Sequence, residues 1–293
     1  INELKHDGIA GKVFATGAVN LKDKLGWDIN ASLVRFKPQY FVSSVQGELS
    51  GHVKTQGIWS EKLKRIDIRD LNAAGFLNNK PIRGRGNLSL LLDSNQKGFL
   101  PQQFEANNLF FAYAQNQLQA TGNAQSLKIK LNAPALYELY PGLQGRAYGS
   151  LNVQSQPRLK ATANIAVDNF AFNELASIRS LRIQGELPTS EATPTLLIAK
   201  VDHLRSGNRE IEDATINLGG TRKAHVLKVE SNNRQSNFYV QLAGGFNQNN
   251  DWLGQLQKGH FKSRRIDLVQ NQSAPIIYST AQSELYIGQH CWQ

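Results

Sequence analysis

Six histidines, His6, His52, His203, His225, His260 and His290, and two carboxylate groups, Asp67/Asp70 and Glu210/Glu212/Asp213, are the side chains of this sequence whose types suit metal or acid-base chemistry. A metal site needs imidazoles brought together at a spacing such as His-x-x-x-His, and these are scattered singly. Acid-base work needs a carboxyl whose surroundings raise its pKa, and charged residues near turns are common, with no such environment to be read around either group. Gly219-Gly220-Thr221 lacks the Gly-x-x-x-x-Gly-Lys frame of a phosphate loop, and no Gly-x-Ser-x-Gly elbow occurs. The single cysteine, Cys291, builds neither an internal disulfide nor a cysteine metal site. No catalytic residue, metal site or cofactor is assigned, and the chain is read as a non-enzyme.

Chemistry of that absent kind would have to be positioned by strands. Apolar residues take every second place at Val13, Ala15, Gly17, Val19 and Leu21, and again at Trp27, Ile29, Ala31 and Leu33. Lys12, Thr16, Asn20, Asp28, Asn30 and Ser32 fill the gaps, so one face of each strand is dry and the other wet. The same rhythm recurs along the whole chain and predicts on the order of sixteen strands joined by short polar turns such as Asn78-Asn79-Lys80-Pro81. Helical signal is confined to residues 133–140, opened by Pro134 and stopped by Pro141-Gly142, which predicts one short helix.

Glycines recur on the dry face. Val45-x-Gly47-x-Leu49-x-Gly51-x-Val53 is echoed by Leu143-x-Gly145-x-Ala147-x-Gly149-x-Leu151-x-Val153. Self-similarity of this kind favours a quasi-one-dimensional sheet over a closed globule. A strand glycine has no side chain to pack, so its use lies in letting the sheet bend or in leaving room for a guest. The expected fold is all-β: an elongated, twisted β-trough, solenoid-like, with an apolar lumen. It is expected to run as one continuous segment over residues 1–293, with a weak sub-boundary near 133–142.

Bulk properties narrow the partners. Hydrophobic residues at 40% and charged residues at 19% leave enough apolar area to fold. The longest apolar runs fall far short of the ~20 residues a helix needs to cross a bilayer, so no membrane span is expected. Lys and Arg outnumber Asp and Glu by 33 to 23, a net charge of +10. The basic clusters Lys62/Lys64/Arg65, Arg83/Arg85 and Lys262/Arg264/Arg265 alternate with apolar residues as on a wet strand face, which argues against nucleic acid. The start, Ile1-Asn2-Glu3-Leu4-Lys5, has neither an initiator Met nor signal-peptide character, as expected of a piece of a longer protein.

At Ala133-Pro134-Ala135-Leu136, Leu139-Tyr140-Pro141-Gly142-Leu143-Gln144-Gly145 and Gly149-Ser150-Leu151, the chain resembles the TamB family, in which a short helix ending in a Pro-Gly-Leu-Ser-Gly-like turn opens a strand repeat. Gln144 stands where Ser is frequent. The likeness continues through Pro157-Arg158-Leu159, Asn169-Phe170, Phe172, Ile178, Leu181 and Gly185, then Trp252-Leu253-Gly254 and the terminal His290-Cys291-Trp292. It implies a periplasmic protein of a Gram-negative bacterium, held in the inner membrane by a segment outside this chain. It implies a long trough like those of AsmA-like and bridge-like lipid transfer proteins, and a partner outer-membrane barrel, TamA, engaged by a C-terminal region that this chain lacks. It also implies that Cys291 pairs with a cysteine beyond Gln293, which an oxidising periplasm permits.

The resemblance makes phospholipid acyl chains the expected guest. Val45, Leu49, Val53, Leu151, Val153, Ile165, Val167, Leu181 and Ile183 are the candidate lining residues, with transport between inner and outer membrane as the expected function. The alternative is a scaffold that helps assemble outer-membrane barrels by adding strands at an exposed edge. A polysaccharide-binding surface would need an aromatic ladder, and Tyr40, Trp59, Tyr148 and Tyr239 are too dispersed to make one.

Overall fold

The structure, a computed structural model, describes residues 3–21, 24–61, 63–93, 103–123, 125–154, 160–187, 192–234 and 236–293. Lys62 of the first basic cluster and residues 157–159 of the family-like stretch lie outside them. The chain forms two compact units, Ile1–Leu139 with Ser150–Leu159, and Tyr140–Gly149 with Lys160–Gln293.

In the first unit each strand runs antiparallel to the next: β1 (Glu3–Gly8), β2 (Gly11–Asn20), β3 (Leu25–Phe36), β4 (Gly47–Trp59), β5 (Leu63–Leu77), β6 (Lys80–Asp93), β7 (Gln103–Tyr113), β8 (Asn116–Asn123) and β9 (Ser126–Ala133). β10 (Leu143–Gln154) carries residues of both units. In the second unit the meander continues through β11 (Lys160–Phe172), β12 (Ala176–Leu187), β13 (Thr195–Ser206), β14 (Arg209–Gly220), β15 (His225–Asn232), β16 (Ser236–Phe246) and β17 (Trp252–Ser263). Two short strands, β18 (Asp267–Val269) and β19 (Ala274–Ser279), share the far edge of β17, and β20 (Glu284–Ile287) pairs with β19. The fold is all-β and antiparallel, as the period-two pattern requires.

The expected short helix is replaced by a single 3-10 turn at Leu136–Glu138. Pro134 and Pro141 leave too few residues between them, since helices under about 12 residues are marginal without packing. Asn116 holds the turn instead: its side-chain oxygen accepts from the Ala135 N–H at 3.2 Å, and its amide donates to the Ala135 carbonyl at 2.9 Å. A second 3-10 turn, Pro38–Tyr40, was not expected. Twenty strands are described rather than about sixteen; one of them, β18, has three residues, too few for alternation to show. Leu21 falls just past β2.

Two local devices set the register. Asn78 and Asn79, with φ of 49° and 63°, form the two-residue turn that joins Leu77 to Lys80, as a primed hairpin turn demands. Register shifts interrupt successive pairings of the first unit, and Arg35, Asp70, Gly86 and Asn108 stand at four of them with φ of 51°, 52°, 106° and 48°. These are bulges, which bend and twist the strands that carry them.

Candidate functional site: an apolar sheet face

Cross-strand pairing carries the dry faces of single strands into one surface within each unit. In the first unit, one row across the sheet reads Val13, Leu33, Gly51, Ala73, Gly84, Phe111, Leu118 and Leu131. Another reads Gly17, Ile29, Thr55, Ile68, Leu88, Ala106, Gly122 and Leu127. The second unit repeats the arrangement with Ile165, Ile183, Ala199, Ile216, Val229, Val240 and Gly259, beside Val167, Leu181, Val201, Ala214, Ser231, Phe238 and Phe261. The reverse face of the first unit carries His52, Asn72, Arg85, Phe110, Gln119 and Lys130 in one row.

Much of this face is not packed as a core, although Ala106, Leu127, Ala214 and Ser231 on it are buried. Side chains in protein interiors are normally enclosed at crystal-like density. Here the largest fully buried side chains are Val153 and Ser231, and most buried apolar residues are alanines. Phe111, Leu118 and Leu131, neighbours in one row, remain 47%, 39% and 38% exposed. Among the described residues there is no α-helix and no second sheet to cover them.

Glycines on the face serve two ends. At Gly51 (φ 155°) a β-carbon would lie 2.3 Å from the Asn72 carbonyl oxygen, so the backbones approach too closely for any side chain. At three other sites the space is taken by the chain's own tryptophans. A β-carbon on Gly57 would lie 2.3 Å from the Trp27 indole, one on Gly254 2.4 Å from Trp252, and one on Gly259 2.2 Å from Trp292. Trp27 donates its indole N–H to the Thr55 hydroxyl at 3.0 Å, which keeps the polar end of the ring satisfied on an apolar surface.

Four of the acidic side chains, Asp67, Asp70, Glu210 and Glu212, are held by hydrogen bonds or ion pairs. Asp67 is buried on the reverse face, where it accepts hydrogen bonds from Gln56 at 3.2 Å, from Arg65 at 2.8 Å and from the Ser89 hydroxyl. Burial is the largest single influence and pushes its pKa up, but Ser89, Gln56 and Arg65 together outweigh it and hold the carboxyl below its ordinary value. Exposed Asp70 is held low by a hydrogen bond from Lys54, and Asp267 by Lys262 and His260. Glu210 pairs with Arg205 and Glu212 with Arg234. Among the described residues no three His, Cys, Asp or Glu side chains converge as metal ligands. No helix there is long and apolar enough to cross a membrane.

A family model described as TamB, N-terminal domain, matches residues 1–293. The chain belongs to the TamB N-terminal domain family. Among curated proteins it is 26% identical over 301 residues to the translocation and assembly module subunit TamB of Haemophilus influenzae. That match covers 100% of this chain but 22% of the relative, so the chain spans about a fifth of the relative's length. No solved structure matches.

Within this TamB-family sheet, the nine candidate lining residues are placed unevenly. Ile165 pairs directly with Ile183 and Val167 with Leu181, so four of them form one patch of the second unit. Leu49 pairs with Gly75 and Val53 with Ala31 on the same face of the first unit. Leu151 is half-buried and Val153 buried on β10. Val45 lies ahead of β4, outside any strand, because the turn holding it closes with the Val45 N–H donating to the Val42 carbonyl at 3.0 Å. Sequence reasoning left out Phe111, Leu118 and Leu131, whose alternation was visible but whose adjacency was not. Cys291 is an exposed free thiol, and its carbonyl accepts from Asn271 at 2.9 Å.

Proposed function

We propose that the apolar face of this TamB-family chain holds phospholipid acyl chains. The chain is then one stretch of a periplasmic conduit between inner and outer membrane that supports outer-membrane biogenesis. The observation behind this reading is the set of mainly apolar cross-strand rows within each unit, on which Phe111, Leu118, Leu131 and Ile165 stay exposed. Each methylene moved from water onto such a face gains about 0.8 kcal/mol, and a uniform track lets the chain slide without deep traps. No bond is made or broken, so no catalytic group is needed. Anchoring in the inner membrane and engagement of TamA belong to parts of the protein outside this chain.

Ile165 is 36% exposed, so Ile165→Asp places a charge on the face without burying it. The expected result is loss of the phospholipid that copurifies with the chain, read by mass spectrometry, with circular dichroism unchanged. Undiminished lipid in the folded variant overturns the reading. A second reading, strand addition to assembling barrels, is favoured by β20, where Leu285, Tyr286 and Ile287 are exposed and the described pairing is one-sided, with β19. Tyr286→Pro disrupts that edge and spares the lining, so a barrel-assembly defect with normal lipid content selects it.

A further inference from the structure

Two sets of cations contrast. Three on the reverse face are exposed and neutralised: Lys12 pairs with Asp7 at 2.8 Å, Lys54 with Asp70 at 2.9 Å and Lys262 with Asp267 at 2.8 Å. Three others are half-buried and lie on an aromatic ring where the apolar face ends. Lys64 Nζ sits 4.8 Å from the Trp59 ring centre, Lys80 Nζ 5.6 Å from Tyr137, and the Arg222 guanidinium 4.8 Å from Phe246. Among the described residues, none of the three pairs with a carboxylate.

Register places the first two on the apolar side. Trp59 pairs with both Leu25 and Lys64, and Lys64 with Leu92, two residues beyond the apolar row of Trp27, Gly57, Ile66 and Leu90. Leu25, Trp59 and Leu92 are 43%, 46% and 40% exposed, so the ammonium stands in an open apolar lip. Lys80 pairs with Leu77 at the opposite strand end of the same unit. In the second unit Phe246, paired with Trp252, closes its strand, and Arg222 is fixed over it by a 2.6 Å hydrogen bond to the Asn250 side chain. An unneutralised cation braced on an aromatic ring at the border of an apolar surface suits a molecule that is apolar along its length and anionic at its head.

Building on the acyl-chain reading, we propose that Lys64/Trp59, Lys80/Tyr137 and Arg222/Phe246 are headgroup stations for anionic phospholipids, which the chain therefore prefers over zwitterionic ones. Each station holds the phosphate group while the tails run onto the face of its own unit.

The test uses the purified chain with dihexanoyl phosphatidylglycerol, dihexanoyl phosphatidylcholine and inorganic phosphate, each followed by titration calorimetry. The anionic lipid binds about fivefold tighter than the zwitterionic one, given roughly one cation per headgroup. The combined variant Lys64→Ala, Lys80→Ala, Arg222→Ala abolishes that preference and binds the two lipids equally. Lys64→Arg with Lys80→Arg retains it. The matched control Arg85→Ala, Lys128→Ala, Lys130→Ala removes equal charge from the reverse face, including a guanidinium stacked on Phe110, and keeps the preference. Equal binding of both lipids to the unaltered chain overturns the stations alone, whereas binding of neither overturns the acyl-chain reading as well. Loss of the preference in the reverse-face control, or phosphate binding as tight as the anionic lipid, also overturns the stations.

Discussion

The indole Nε1 of Trp252 donates to Nε2 of His225 at 2.8 Å, and this single bond fixes the tautomer of the histidine. Indole is a donor only, so Nε2 must be the bare nitrogen. The proton then sits on Nδ1, which donates to the Thr221 carbonyl at 3.0 Å. The pair ties the first residue of β15, and through Thr221 the turn after β14, to the first residue of β17. Trp252→Phe keeps an aromatic ring at this position and loses the bond, at an expected cost of about 1 kcal/mol in urea unfolding. In the Trp252→Phe background, His225→Phe costs less than it does alone. Additive losses in this double-mutant cycle disprove the coupling.

Two glycines of the face separate tight sites from open ones. A β-carbon on Gly57 meets the Trp27 indole at 2.3 Å and the Arg65 carbonyl oxygen at 2.6 Å, so Gly57→Ala should destabilise by about 1–3 kcal/mol. On Gly84 the nearest atoms are Leu71 and Phe111 side-chain carbons at 3.4 and 3.8 Å, an ordinary contact. Gly84→Ala should be neutral or stabilising by about 0.5 kcal/mol, through the lower entropy of the unfolded chain. Urea midpoints that shift equally for both would show that the indole does not fill the space at Gly57.

Much of the strand content was legible because the pleat makes alternation a local property: Val13, Ala15, Gly17 and Val19 announce their common face without reference to any neighbour. Pairing is not local. Trp27 and Gly57 lie on adjacent strands thirty residues apart, and only the register brings the indole over the glycine. The sequence reading thus offered bending or guest space for such glycines and missed the third use, a cradle for the chain's own tryptophan. Bulges escaped for a related reason, since Arg35 adopts positive φ although nothing in its side chain favours it. Ile165 and Ile183 were chosen separately and proved to be partners, while Val45 followed the alternation beyond the end of its strand.

Asp67 makes the stability of the first unit depend on acid. Its folded pKa is depressed, because the bonds from Ser89, Gln56 and Arg65 outweigh the opposing effect of burial. A depressed carboxyl stabilises the fold fully above its unfolded pKa of about 3.9, and that contribution is lost as pH falls through the folded value. Unfolding free energy should therefore be flat in this respect above about pH 5 and decline below about pH 4. Asp67→Asn should lower stability at pH 7 by about 1–3 kcal/mol and weaken the acid dependence. An unchanged acid limb in the variant would assign it to other carboxylates.

Arg35 tests whether the bulges are strained or merely bent. Its φ of 51° lies in the left-handed region, which costs a residue with a β-carbon about 1 kcal/mol, and its side chain returns only an exposed bond to Glu48 at 3.2 Å. The Arg35 N–H donates to the Ser50 hydroxyl at 2.9 Å, an interaction that survives any substitution except proline. Arg35→Gly should thus be neutral or stabilising, since relief of strain offsets both the lost ion pair and the greater freedom of the unfolded chain. Arg35→Val should destabilise by more than 1 kcal/mol, because a β-branched residue tolerates this conformation least. If valine and glycine unfold at the same urea concentration, residue 35 is not held in the left-handed region in solution, and the bulge between Leu33 and Phe36 relaxes in some other way.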